Sequence, residues 1–85
     1  MDSKEVLERV SEVTGRLLGV PPERITPDSR FVEDLGAESI QSIELVAAFE
    51  EEFQIEMEET AALQVQTVGK AVQFILEALE EQSGR

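Results

Sequence analysis

The chain has 85 residues and contains neither cysteine nor histidine. Without thiols there are no disulfide staples and no thiolate chemistry, and without imidazole there is no conventional serine triad and little basis for a zinc site. No apolar run is long enough to cross a membrane, and Asp2, Lys4 and Glu5 break any targeting segment at the start, so the cytoplasm is the expected compartment. Cations are scarce as well. Between Arg30 and Lys70 there is no lysine or arginine, while that interval holds Glu33, Asp34, Glu38, Glu44, Glu50, Glu51, Glu52, Glu56, Glu58 and Glu59.

These absences bound the fold and the partners. A chain this short is expected to form one domain over residues 1–85, resting on apolar packing alone, because a divided core of that size would not offset the chain entropy. The net charge of −12 sets repulsion against compaction and argues against nucleic acid and anionic membranes. It points to basic partner surfaces and a monomer. The carboxylates do not fit the ligand spacing of a calcium loop, since Glu50, Glu51 and Glu52 diverge around a helix, so no metal site is expected.

The apolar residues that are present recur at helical spacing. Val6, Leu7, Val10, Val13 and Leu17 mark a first helix from Asp2 to Leu18, with Asp2 and Glu5 placed as a capping box. Gly19 ends it, and Val20-Pro21-Pro22 prevents its continuation. A long connection follows through Ala37, expected to be an ordered loop pinned by Ile25, Phe31, Val32 and Leu35. A second helix is expected from Ser39 to Phe53 and a short third one from Glu58 to Leu63. A last helix begins after Thr67 as N-cap, with Val68, Val72, Ile75 and Leu79 as its stripe and Gln82 to Arg85 as a frayed tail. The pattern predicts an all-α bundle of three longer helices and one short one.

At about 100° per residue, Ser42, Leu45, Val46, Phe49 and Phe53 share the core side of the second helix. Ile40, Glu44, Ala47 and Glu51 form a separate stripe that mixes apolar and acidic groups and suits a basic, partly apolar partner. Ser39 opens this helix. With no histidine to activate it, it reads as an attachment point and not as a nucleophile, and its ordinary structural use would be as the N-cap. An autonomous enzyme is not expected.

The run Phe31-Val32-Glu33-Asp34-Leu35-Gly36-Ala37-Glu38-Ser39-Ile40, followed by Ile43-Glu44-Leu45-Val46, Glu50-Glu51-Glu52-Phe53 and Gln66-Thr67-Val68-Gly69, resembles the acyl carrier protein family over nearly the whole chain. The resemblance implies a four-helix bundle and a serine that receives 4′-phosphopantetheine from coenzyme A, a role that transfers to Ser39. It also implies a phosphopantetheinyl transferase as partner, together with acyl-transfer and acyl-processing enzymes of fatty-acid, lipid or polyketide-type biosynthesis; the angle and charge of the second helix make Glu38, Ile40, Glu44, Ala47 and Glu51 the expected docking residues. An acidic adaptor of the same fold that is never modified is the alternative.

The chain departs from the family pattern at Glu38, Ile40 and Gln41, where aspartate, leucine and an acidic residue are usual, and at Ala47, where a larger apolar residue is common. These departures, with the less acidic stretch around Thr60, Ala61 and Leu63, suggest a carrier dedicated to one pathway. The resemblance further implies that the interior around Leu45, Val46, Phe49, Phe53, Val65, Val68 and Val72 parts to admit an acyl chain, with Ala71 leaving room. A plain packed core is the expectation for the resting protein.

Overall fold

The computed structural model describes residues 1–83, and within them the chain forms four α-helices: α1 (Ser3–Leu18), α2 (Ser39–Phe53), α3 (Glu59–Leu63) and α4 (Val68–Ser83). A single 3-10 turn, Pro22–Arg24, lies in the connection between α1 and α2. Helix α1 packs on both α2 and α4, and α3 packs on α2. This is the predicted bundle. Gly84 and Arg85 of the expected frayed tail lie outside the described residues. Gln82 is not frayed: it belongs to α4, and its side chain is held by Glu56.

Each helix begins and ends for a local reason. Asp2 stands in extended conformation at the head of α1 and its Oδ1 accepts from the Glu5 amide at 2.8 Å. At the other end Gly19 adopts φ 72°, a left-handed cap open to glycine at no steric cost. The chain then turns back so closely that the Val20 amide reaches the Gly15 carbonyl at 3.0 Å. A Cβ on Gly15 would stand 2.5 Å from the Val20 oxygen, so only glycine permits this return.

The core is built from Val6, Val10 and Val13 of α1, Leu45, Phe49 and Phe53 of α2, and Val68, Ala71, Val72 and Ile75 of α4. Phe31 and Phe49 meet with ring centroids 6.5 Å apart and planes tilted by 52°. Burying each large apolar side chain stabilises by roughly 1.5–3 kcal/mol. The ion pairs of Arg30 stand in solvent, which screens them, so packing decides the fold.

The long connection is ordered, as expected, but its attachments are largely backbone bonds. The Gly69 amide donates to the Pro27 carbonyl (2.8 Å), the Val68 amide to Ser29 (3.0 Å) and the Phe31 amide to Gln66 (3.0 Å), with an antiparallel bridge between Arg30 and Thr67. Ile25 and Phe31 are buried and Leu35 is half-buried. Val32, expected to pin the loop, is instead 55% exposed, because Phe31 takes the inward position and the following turn carries Val32 outward.

One polar group in the interior is anomalous. Thr14 is fully buried on α1, and its hydroxyl has no hydrogen-bond partner among the described residues. An unpaired buried hydroxyl costs more than the methyl that would replace it. Thr14→Val, which keeps the shape, should therefore raise the unfolding free energy by about 1 kcal/mol in urea titration; a loss of stability would show that the hydroxyl is paired.

Candidate functional site

The start of α2 is set by the turn before it. Asp34 Oδ2 accepts from the Arg30 amide (2.8 Å) and from Arg30 Nε (3.3 Å), while Glu33 Oε2 lies 3.1 Å from Arg30 Nη1. The Asp34 and Leu35 amides return to the Arg30 carbonyl, both at 3.0 Å, and close the loop. Gly36 then reverses the chain at φ 75°, after which the Ala37 amide donates to the Phe31 carbonyl (2.9 Å) and the Ala37 side chain is buried. Glu38 and Ser39 are thereby delivered to the surface.

The backbone places the helix cap one residue earlier than the sequence suggests. Glu38, extended at φ −85° and ψ 166°, is the N-cap, and Gln41 Oε1 accepts from its amide at 2.9 Å. Ser39 is the first helical residue and not the cap. The reason lies in Gln41, whose side chain reaches back across one turn and fixes Glu38 in the capping position. Ser39 is exposed, and the cap does not depend on its hydroxyl. The amides of the first turn carry the positive end of the helix dipole, so a phosphodiester on this residue would meet a favourable field.

Down α2 from Ser39, the stripe inferred from helical spacing is present on the surface. Glu38, Ile40, Glu44, Ala47 and Glu51 are all exposed, Ile40 at 65%. Besides Ile40 and the terminal Met1, three large apolar residues that sequence reasoning did not place at the surface are exposed: Val32, Ile43 at 50% and Leu63 at 39%. For Ile43 a signal existed, since its helical angle falls outside the core arc. For Val32 and Leu63 the answer depended on turn geometry.

Behind this face lies a partly open, largely apolar cavity of about 230 Å³ between α2, α3, α4 and the loop, with Ser42, Leu45, Val46, Met57, Leu63 and Phe74 among its walls. A plain packed core was the expectation, and the difference has a physical cause. Helix α3 is only five residues long and buries Ala62 alone, so it roofs the space without filling it. Of the residues expected around an opening core, Leu45, Val46, Phe49, Val65 and Ala71 line the cavity. Phe53, Val68 and Val72 are packed into the core instead. Ser42, one turn beyond Ser39, stands in its wall.

Among the described residues no cluster of side chains is placed to hold a metal ion, and no helix is long and apolar enough to cross a membrane.

The helix start thus presents an exposed serine on an acidic face, three residues before the cavity wall at Ser42. The family model described as a phosphopantetheine attachment site matches residues 6–75, which leaves the last turns of α4 outside it. Curated relatives agree over most of their length. The chain is 51% identical to an acyl carrier protein of Phenylobacterium zucineum (strain HLK1) over 75 residues, 88% of this chain and 95% of that one. It is 49% identical over 73 residues to acyl carrier proteins from two strains of Caulobacter vibrioides, covering 86% of this chain and 94% of each relative. The chain belongs to the acyl carrier protein family, whose members are carriers, not enzymes, with covalently attached 4′-phosphopantetheine.

The turn that presents α2 has its own pH signature. The Arg30 backbone amide, and then its side chain, hold the Asp34 carboxyl below the usual carboxylate range, while Asp34 in turn raises the Arg30 guanidinium. Because the folded value is depressed, the stabilisation is complete above the ordinary pKa of about 3.9 and is lost as the pH falls through the lowered folded value. Carboxyl NMR should find the Asp34 midpoint below about 3.9. Arg30→Ala should return it only part of the way, since the backbone amide remains.

Proposed function

We propose that Ser39 is the residue that receives 4′-phosphopantetheine, and that residues 1–85 act as one carrier domain delivering acyl intermediates to enzymes of fatty-acid, lipid or polyketide-type biosynthesis. The observation that carries this reading is the exposed Ser39 at the head of α2, with a cavity wall one turn further on at Ser42. In the attachment step a bond forms from Ser39 Oγ to phosphorus, the pyrophosphate link of coenzyme A breaks, and the nucleotide departs. The hydroxyl proton goes to a base of the transferase, because this chain contains no histidine to take it. The attached arm supplies a thiol that holds the acyl group as a thioester.

This chain's own residues then do two things. The exposed stripe Glu38, Ile40, Glu44, Ala47 and Glu51 steers basic partners, the transferase and acyl-processing enzymes, onto α2, with Ile40 as the apolar contact. The cavity shelters the acyl chain between encounters by excluding water from it. The small Ala47 and the weakly charged α3 favour a carrier serving a dedicated pathway, and the cytoplasm is the compartment proposed for it.

Incubation with coenzyme A, magnesium and a promiscuous phosphopantetheinyl transferase should add one phosphopantetheine to the protein by intact mass and none to Ser39→Ala. No gain in the folded, unsubstituted protein would favour the unmodified adaptor, and gain in both proteins would mean another serine is used. Reversing the charge at Glu44 and Glu51 together should slow transfer about tenfold at low salt, with the difference vanishing at high salt. Unchanged rates at low salt would refute the steering role.

A further inference from the structure

Helix α3 does not secure itself. It has five residues, fewer than an isolated helix needs to offset its nucleation cost, and only Ala62 is buried. Yet Met57, Ala62 and Leu63 form one wall of the cavity, so the position of this segment sets how far the cavity opens. What holds it is found at the connection from α2. Gln54 ends α2 in a left-handed conformation at φ 55°, the Ile55 amide returns to the Glu50 carbonyl (3.2 Å), and Ile55 is buried.

The two residues that follow are gripped by side chains from two different helices. Glu50 Oε2, on α2, accepts from the Met57 amide at 2.9 Å. Gln82, in the last turn of α4, accepts from the Glu56 amide through Oε1 (3.0 Å) and donates through Nε2 to the Glu56 carbonyl (2.9 Å). A primary amide pairing both backbone groups of one residue imitates a neighbouring strand, and it satisfies a donor and an acceptor in the link between α2 and α3, which belongs to neither helix. Gln82 also lies beyond residues 6–75, the stretch that the family model matches.

We propose that Gln82 is a positioning residue for the cargo site: by holding both backbone groups of Glu56 it fixes the α2–α3 hinge and keeps α3 closed over the cavity. The role rests on the reading that an acyl group attached through Ser39 shelters there. The grip is local. The core contacts of α1 with α2 and α4 do not pass through Glu56, so the hinge opens as a unit of lower stability than the bundle. Losing two hydrogen bonds to a part-exposed hinge shifts such an opening by about tenfold.

The test compares the unsubstituted protein with Gln82→Met, which keeps the length and removes the amide, and with Gln73→Met, the same change at an exposed position of α4. Amide exchange is measured on the unmodified proteins. Thioester cleavage by hydroxylamine is measured on forms loaded with acetyl or octanoyl groups. Gln82→Met should speed exchange about tenfold at Glu56, Met57 and the α3 amides while leaving Val10 and Val13 unchanged. It should also speed cleavage of the octanoyl thioester several-fold and leave the acetyl thioester, too short to need shelter, as it was.

Gln73→Met should change neither. Unchanged exchange at Glu56 and Met57 would overturn the clamp. Faster exchange at Val10 as well, or equal acceleration of acetyl and octanoyl cleavage, would overturn it as a positioning role by showing a general loss of structure. Equal lability of the two thioesters in the unsubstituted protein would overturn the shelter reading itself and the cargo role with it, while the exchange data would still report whether Gln82 holds the hinge.

Discussion

The seam between the connecting loop and the start of α4 is the constraint on which the rest depends. Gly69 approaches Pro27 so closely that its amide bonds the Pro27 carbonyl at 2.8 Å, and a Cβ there would meet the same oxygen at 3.0 Å. From this contact the next bonds follow in register, Val68 to Ser29 and Phe31 to Gln66. They place Phe31 against Phe49, and the turn closed by Asp34 and Gly36 then presents α2 at a fixed angle. A loop held only by its apolar side chains would slide. One held by three backbone bonds has a single register, and the position of Ser39 is inherited from it.

Much of this was legible in the sequence because helical periodicity and terminators are local properties. The valines of α1, the stripe of α4, Gly19 and the prolines after it gave the helices nearly to the residue. The two faces of α2, and with them the candidate site, were legible for a related reason: the angle around α2 separates Leu45 and Phe49, inside, from Glu44 and Glu51, outside. What stayed hidden was decided by contacts between distant segments. The cap at Glu38 depends on where Gln41 reaches, the outward turn of Val32 depends on Phe31 being claimed by the seam, and the ordering of Gln82 depends on Glu56, 26 residues away. The cavity follows from the shortness of α3, whose volume no pattern of spacing records.

Electrostatics divides the molecule unevenly. The last turn of α2 carries Glu50, Glu51 and Glu52 at the end of the helix where the dipole disfavours anions, and no cation between residues 31 and 69 answers them. The answer comes from α1. Arg9 Nε lies 2.7 Å from Glu52 Oε2, Nη2 donates to the Glu52 carbonyl at 2.8 Å, and the guanidinium stands 4.9 Å over the Phe53 ring. One arginine thus neutralises a carboxylate, satisfies a helix-end carbonyl and covers an aromatic. Among the described residues no cation pairs with Glu44 or Glu51 on the outer face.

The cap at Glu38 and Gln41 separates the integrity of α2 from the chemistry of Ser39. Had the serine hydroxyl been the cap, esterifying it would have taken an acceptor from the first turn and loosened the helix. Here the first turn is secured by neighbours that keep their bonds whatever Ser39 carries. Under the proposed attachment at Ser39, the exposed carboxylates further along α2 are therefore the same in the bare and the loaded protein, and loading changes the charge at the helix start alone, by the phosphodiester itself. An enzyme that must tell the two apart has to sense the arm or its cargo, and an enzyme that binds the helix alone is open to inhibition by the empty form.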